Sequence, residues 1–117
     1  MGYIVIVSTE SPLRNTLPLD ALEAALSASN LDTHVHFVLS GLGILQLVKQ
    51  QTSTRLDNVN LYKKLKLLLM YEIDDIYITQ LPEQFNQEML SDEIEVSLLS
   101  ENEYASLLSN AQSVLVF

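Results

Sequence analysis

The sequence predicts an α/β protein in which helices cover both faces of a parallel sheet. Short β-prone runs alternate with segments of helical periodicity, which is the pattern of a doubly wound fold. The first run, residues 3–7, is apolar throughout and rich in β-branched residues, as in a strand buried on both faces. Because 117 residues are enough for one ordinary core, we expect a single domain over residues 1–117.

Two strands and two helices are predicted in the first part of the chain. A polar loop at residues 8–17 follows the first strand, and Pro18 suits the first position of a helix. The apolar side of this helix is predicted to consist of Leu19, Leu22, Ala25 and Leu26. Asn30 is the expected left-handed stop. A second buried strand is expected at residues 35–39, and the apolar residues 42–48 predict a short helix after it.

The fold is expected to be organised around a helix that leads almost directly into a strand. Residues 60–71 have helical periodicity, and residues 76–78 are β-prone. The apolar face of the helix is predicted to hold Leu61, Leu65, Leu68 and Leu69. Residues 67–71 are apolar without interruption, so this end of the helix has a second side to cover.

The remaining segments complete the alternation of helices and strands. A polar linker is expected at residues 50–58 and a weak helix at residues 81–91, followed by a fourth strand at residues 93–98. Residues 100–103, Ser-Glu-Asn-Glu, form a capping box that begins a last helix. Residues 113–117 are the fifth predicted strand.

The composition excludes several classes of function. The net charge of −9 is poorly suited to nucleic acid, whose phosphates are neutralised by Lys and Arg. The absence of cysteine excludes disulfides, zinc–thiolate sites and cysteine catalysis within this chain, and it favours a reducing compartment. No signal peptide or membrane-spanning run is evident, so we expect a cytoplasmic protein. A hydrophobic content of 48% is high for a small domain and indicates buried interfaces.

A pair of glycines and a loop rich in hydroxyl groups resemble nucleotide-binding loops only in their positions after strands. Gly41 and Gly43 follow a strand and precede a helix, but position 46 is Gln where a dinucleotide fingerprint needs a third glycine. We therefore interpret the pair as a tight turn. The loop at residues 8–15 occupies the place of a flavin phosphate loop, but it contains Glu10, which would repel a phosphate. No bound cofactor is expected.

Titratable side chains form small groups without an evident catalytic pattern. His34 and His36 lie on one face if their segment is a strand, and two imidazoles can begin a metal site. No third ligand occurs at a matching spacing, so we interpret them as histidines at a strand edge. Two acidic groups fall where solvated turns are expected, at the N-terminal ends of strands: Glu72, Asp74, Asp75, and Asp92, Glu93, Glu95. These features together favour a subunit of an assembly over an enzyme, with no catalytic, cofactor or metal residues.

Several segments of this chain resemble the DsrE/DsrF-like family, and within it the TusC/DsrF branch. They are residues 20–26 (DALEAAL), 37–41 (FVLSG) followed by 45–47 (LQL), 62–73 (YKKLKLLLMYEI) and 114–117 (VLVF). The resemblance covers essentially the whole chain. It implies a three-layer α/β fold with a mainly parallel five-stranded sheet and helices on both faces, as in flavodoxin-like proteins.

The resemblance also implies a place in a sulfur relay. The family implies a heterohexamer with two copies each of TusB-, TusC- and TusD-like subunits, which passes persulfide sulfur from a TusA-like to a TusE-like carrier for 2-thiolation of the tRNA wobble uridine. The persulfide cysteine of the family belongs to the TusD/DsrE subunit, at the end of the strand matching residues 76–78. Thr79 and Gln80 stand there in this chain, and a hydroxyl does not accept sulfane sulfur.

The resemblance thus implies a non-catalytic structural subunit. The alternatives are a homo-oligomeric scaffold or binding protein with the same fold, a DsrEFH-type subunit in dissimilatory sulfur oxidation, and an enzyme or flavin carrier using the loop at residues 8–15. Contacts with partner subunits are expected from the apolar residues Leu42, Ile44, Leu45, Leu67, Met70 and Tyr71.

Overall fold

Every strand pair of the sheet is parallel, as the sequence predicts. The structure is a computed structural model that describes residues 2–11, 16–47, 65–80 and 94–117. In this part of the chain the elements are β1 (Ile4–Ser8), α1 (Leu17–Asn30), β2 (Val35–Leu39), a 3₁₀ helix (Gly41–Leu47), α2 (Leu67–Met70), β3 (Ile76–Ile78), β4 (Ser97–Leu98), α3 (Glu101–Ser109) and β5 (Ser113–Val116). The strand order is β4-β3-β2-β1-β5, so β1 is central and β4 and β5 are the edges.

The two faces of the sheet pack against different helices. Ile6, Phe37 and Ile76 point to one face, which α1 and α2 cover with Leu22, Leu68 and other apolar side chains. Their neighbours Val5, Val7 and Val38 point to the opposite face, where Tyr104, Leu107, Leu108 and Ala111 pack on them from the segment of α3. We call these the α1 face and the α3 face. The three predicted layers are therefore present.

Helices α1 and α2 end in the same way, and the end of α1 differs from the one expected from the sequence. Asn30 is still helical, and the left-handed residue is Asp32, with φ 61°. Its N–H donates to Ser29 O over 3.0 Å, and Thr33 N–H donates to Ala28 O over 3.2 Å. This pair of bonds is a Schellman motif, in which a left-handed residue satisfies the last helical carbonyls.

The end of α2 repeats this motif. Glu72 has φ 61°, its N–H donates to Leu69 O over 3.1 Å, and Ile73 N–H donates to Leu68 O over 2.8 Å. Both turns lead within three residues into a strand, the first into β2 and the second into β3. The residues that follow the two helices therefore lie side by side at the amino-terminal edge of the sheet, where the parallel strands begin.

Several predicted segments differ from the structure or lie outside the described residues. Of the helix predicted over residues 60–71, the described part begins at Leu65, and Leu65 and Leu68 are buried while Leu69 is partly exposed. In the described part of the predicted fourth strand, residues 94–98, only Ser97–Leu98 pair with β3. The predicted linker at residues 50–58 and weak helix at residues 81–91 lie outside the described residues. Among the helices described, none is both long and apolar enough to cross a lipid bilayer.

Candidate functional site

The carboxyl-terminal edge of the sheet, where parallel α/β folds place their chemistry, carries hydroxyl and amide groups. Thr79 follows β3 and donates its hydroxyl to Ser40 Oγ over 3.0 Å, and Ser40 follows β2. Ser8 ends β1, is fully buried and accepts a hydrogen bond from Gln46 Nε2 over 2.9 Å. The sequence contains no cysteine, so this edge has no thiol. Hydroxyl groups bonded to one another in this way offer neither a nucleophile of lowered pKa nor a sulfur acceptor.

The two glycines of the turn allow the 3₁₀ helix to lie directly against this edge. Gly41 has φ +56°, which favours glycine, and a Cβ on Gly43 would stand 2.1 Å from the carbonyl oxygen of Ser8. Gly43 is thus required for the close approach of two backbones. The interpretation of this pair as a tight turn agrees with these positions.

The loop after β1 uses its hydroxyls within the protein. Thr9 donates through Oγ1 and through its N–H to the carbonyl oxygen of Phe117, over 2.8 and 2.9 Å. The amide of Gln46 also donates to the carbonyl oxygen of Glu10 over 3.2 Å, while Gln46 Oε1 is buried with no hydrogen-bond partner among the described residues. Asn15 lies outside the described residues. The hydroxyls of Ser8 and Thr9 therefore hold the loop in place.

The opposite edge of the sheet gathers a second group of polar side chains. Tyr3, His34 and Asp75 each stand immediately before a strand, namely β1, β2 and β3. His34 Nε2 and Asp75 Oδ2 are 2.7 Å apart. The rings of His34 and His36 are on one face, as predicted, with centroids 4.9 Å apart. We call His34, His36 and Asp75 the histidine cluster.

Two tyrosines hold the ring of His36. Its Nδ1 is 3.1 Å from the hydroxyl of Tyr77, whose ring stacks on it with centroids 5.6 Å apart and an interplanar angle of 9°. Tyr3 approaches from the other neighbouring strand, with ring centroids 4.4 Å apart, and its hydroxyl donates to Leu107 O over 2.7 Å. Burial lowers the pKa of His36, an effect that the Asp75 carboxylate opposes, and burial raises the pKa of Tyr77.

Sequence reasoning did not connect Asp75 with the two histidines. Asp75 and His34 are 41 positions apart, and no local spacing relates them. They become neighbours because β2 pairs with β3 in a register that sets Phe37 opposite Ile76. The sequence has no third ligand at a matching spacing, and the third group of this cluster comes from the start of a neighbouring strand. The other carboxylates of that acidic group do behave as expected, since Glu72 and Asp74 are exposed.

The residues expected to contact partner subunits form two separate patches. Leu42, which is 48% exposed, and the partly buried Leu45 follow the carboxyl-terminal end of β2. Met70, which is 78% exposed, precedes the amino-terminal end of β3 together with Tyr71 and the partly buried Leu67. We call these the Leu42 patch and the Met70 patch. Because the strands are parallel, the Leu42 patch lies at the carboxyl-terminal edge of the sheet, where strands end, and the Met70 patch lies at the amino-terminal edge, where strands begin.

One of those residues is not at the surface. Ile44 is 1% exposed and packs in the core of the α1 face, because the 3₁₀ helix turns it toward the sheet. It is therefore unsuited to direct contact with a partner. Sequence reasoning also missed exposed apolar residues of the edge strands: Leu98 of β4 and Val114, Leu115 and Val116 of β5. Their sequences resemble those of buried strands, and only the strand order shows that they are edges.

These observations define an all-parallel, five-stranded α/β protein whose carboxyl-terminal sheet edge lacks a thiol and whose described surface exposes several large apolar residues. The chain belongs to the DsrE/DsrF-like family, whose model matches residues 2–117. It is 26% identical over 120 aligned residues to the protein TusC homolog of Aliivibrio fischeri (strain ATCC 700601 / ES114), and the match covers 100% of this chain and 98% of that protein.

A solved structure has the same fold. The crystal structure of the ychN protein from E. coli matches with a TM-score of 0.74 and covers 100% of both chains. The two sequences are 19% identical, so this likeness concerns the fold alone.

Proposed function

We propose that this protein is a non-catalytic structural subunit of a sulfur-relay complex of the TusBCD type. In this proposal it assembles with TusB- and TusD-like subunits, two copies of each, in the cytoplasm. The assembly takes persulfide sulfur from a TusA-like carrier and passes it toward a TusE-like carrier for 2-thiolation of the tRNA wobble uridine. The family membership and the full-length similarity to a protein named TusC homolog support this assignment.

The observation that carries the proposal is the pair of hydroxyls at the ends of β2 and β3. Sulfane sulfur is accepted by a thiolate, which attacks the donor sulfur and becomes a persulfide. Thr79 holds the strand-end position, its hydroxyl is bonded to Ser40 Oγ at 3.0 Å, and the whole chain has no cysteine. A protein of this family without a thiol at that edge is suited to hold a cysteine-bearing neighbour.

The surface supports a role with more than one neighbour. The Leu42 and Met70 patches expose apolar side chains at opposite edges of the sheet, and exposed apolar patches are typical of protein–protein contacts. A single partner of similar size would have to extend around the molecule to cover both. We therefore assign the two patches to contacts with two different subunits.

The charge of the chain supports an indirect relation to RNA. With 15 acidic and 6 basic residues, the protein repels a phosphate backbone. In the proposed relay the tRNA meets a later enzyme, and this subunit contributes to assembly upstream of it. A related assembly for dissimilatory sulfur oxidation would use the same subunit contacts. The two pathways differ in the molecule that finally accepts the sulfur.

Native mass spectrometry tests the proposal. The chain is purified alone and after co-expression with its genomic neighbours, and each sample is then treated with an isotopically labelled sulfane-sulfur donor. We expect a defined complex with two further members of the family, in which label appears on a partner cysteine and none on this chain. A stable homo-oligomer that ignores these neighbours would overturn the proposal and favour a homo-oligomeric scaffold.

A further inference from the structure

The histidine cluster has the composition of a metal site. It brings together two imidazoles and one carboxylate, and one possible ligand atom from each residue lies within 4.8 Å of the others. These are the only two histidines of the chain. Among the residues that the structure describes, His34, His36 and Asp75 are the one group of three His, Asp or Glu side chains that lie close enough together to share an ion.

The fold presents these side chains in a repeated way. The Schellman turn after α1 leads to His34, and the Schellman turn after α2 leads to Asp75. Strand pairing fixes the register between them, because Phe37 N–H donates to Asp75 O over 2.9 Å. The ligand positions are thus set by backbone hydrogen bonds. The side chains of His34 and Asp75 are 59% and 39% exposed, which leaves an ion a path from solvent.

The surroundings of His36 match those of a metal-binding histidine. In such sites one ring nitrogen binds the metal while the other is hydrogen-bonded to an outer group that fixes the ring. The Tyr77 hydroxyl, 3.1 Å from Nδ1, is such an outer group, and the rings of Tyr3 and Tyr77 contact the imidazole from neighbouring strands. His36 is accordingly held by contacts from both neighbouring strands.

We propose that His34, His36 and Asp75 bind a divalent transition metal ion, with Zn²⁺ as the best match to the ligand set. Imidazole nitrogen and carboxylate oxygen suit Zn²⁺, whereas Mg²⁺ and Ca²⁺ prefer oxygen ligands alone. His34 Nε2 and Asp75 Oδ2 are 2.7 Å apart and share a proton. The metal ion displaces this proton to the solvent, and the two atoms move slightly apart to bind the ion. Three protein ligands leave a position for water or for a fourth ligand from another molecule.

This site is independent of the proposed relay function. It lies at the amino-terminal edge of the sheet, whereas Thr79 and Ser40 lie at the carboxyl-terminal edge. An ion here joins the turn before β2 to the turn before β3. It also lies at the edge of the sheet to which the Met70 patch belongs.

Titration of the protein without an affinity tag with ZnCl₂ tests the proposal, since a polyhistidine tag would supply imidazoles of its own. Isothermal titration calorimetry is expected to show one zinc ion bound per chain. His34→Ala and Asp75→Asn are each expected to weaken zinc binding by at least about tenfold. Asp74→Asn is the matched control, because it removes the same charge from the adjacent exposed residue and is expected to change the affinity by less than about twofold.

A second measurement does not depend on variants. In ¹⁵N NMR spectra of the wild-type protein, zinc is expected to shift the imidazole nitrogens of both histidines, while MgCl₂ leaves them in place. Unshifted imidazole signals at saturating zinc would overturn the proposal. So would equal zinc affinities of Asp75→Asn and Asp74→Asn, since these would indicate that His34 and Asp75 form only an ion pair.

Discussion

Gly43 has a packing role that the apolar pattern around it does not indicate. A Cβ there would stand 2.1 Å from Ser8 O, whereas nothing lies within 4 Å of a Cβ on Gly41. Gly43→Ala must therefore move backbone, and we expect it to lower the free energy of unfolding by about 3 kcal/mol.

Gly41→Ala is the matched variant for this test. It strains a residue at φ +56° without a collision, so we expect a cost of about 1 kcal/mol. Urea denaturation of both variants measures the difference. Equal costs for the two variants would mean that the close approach to Ser8 does not determine the cost of a side chain at Gly43.

At the scale of elements, α3 depends on the capping box at its start. Ser100 N–H donates to Glu103 Oε1 over 2.9 Å, and Glu103 N–H donates to Ser100 Oγ over 3.1 Å. The hydrogen bonds from the Ser100 backbone and side chain lower the pKa of Glu103. Because the folded-state pKa is lowered, the stabilisation is complete above the ordinary glutamate pKa of about 4.3 and is lost as the pH falls through the lower folded value.

An NMR titration of the Glu103 carboxyl checks this expectation. Ser100→Ala removes the side-chain hydroxyl and keeps the backbone N–H, so it is expected to raise the pKa of Glu103 only part of the way to its ordinary value. It is also expected to destabilise the protein by about 1 kcal/mol at neutral pH. Ser106→Ala, in the same helix but outside the box, is expected to leave that pKa in place. An unchanged pKa in the Ser100 variant would contradict a contribution from the side chain and leave the backbone hydrogen bond as the cause.

The Schellman turn after α2 contains a residue that is poorly suited to its conformation. Glu72 has φ 61°, where a side chain is strained, and its negative charge lies at the negative end of the helix dipole. Glu72→Gly relieves both effects, and we expect it to raise the free energy of unfolding by about 0.5 kcal/mol after the added entropy of the unfolded chain is subtracted.

Glu72→Ala serves as the control for charge, because it removes the carboxylate and keeps the strained Cβ. Thermal unfolding of the three proteins ranks them, and we expect glycine to be the most stable. If alanine were equally stabilising, the charge and not the left-handed backbone would be the source of the effect.

At the scale of the whole molecule, the Met70 patch predicts a surface substitution that weakens complex formation. Met70 is 78% exposed, so Met70→Glu should leave the isolated protein folded. Burying the new carboxylate in a subunit contact is unfavourable, and we expect complex formation to weaken at least about tenfold. Size-exclusion chromatography of the co-expressed subunits measures this change.

Leu98→Glu provides the comparison, since Leu98 is also an exposed apolar residue but belongs to edge strand β4. It is expected to retain the complex. Loss of assembly in both variants would indicate that general surface polarity, and not the Met70 patch, governs the interaction.

The strands and the local helix signals could be predicted from the sequence because each depends on neighbouring residues. β2 and β3 have the expected bounds, β1 is displaced by one residue, and the capping box at Ser100 is present. Runs of β-branched apolar residues are typical of buried parallel strands, which is why β1 could be recognised from its sequence.

Features that depend on strand pairing could not be predicted in this way. His34 meets Asp75 only through the β2–β3 register, and Ile44 is buried because the 3₁₀ helix turns inward. Likewise, β5 is exposed because it is an edge, although its sequence has the apolar character of a central strand.

The pairing of β1 with β5 also affects how the protein is made. Residues 4–7 pair with residues 113–116, so a strand synthesised early obtains its second neighbour late. Val5, Val7 and Val38 on the α3 face obtain their cover from the same late segment. The growing chain therefore has a bare apolar sheet face and an open β1 edge until residues 101–116 leave the ribosome, and this is the interval in which a chaperone or a neighbouring nascent chain has access to them.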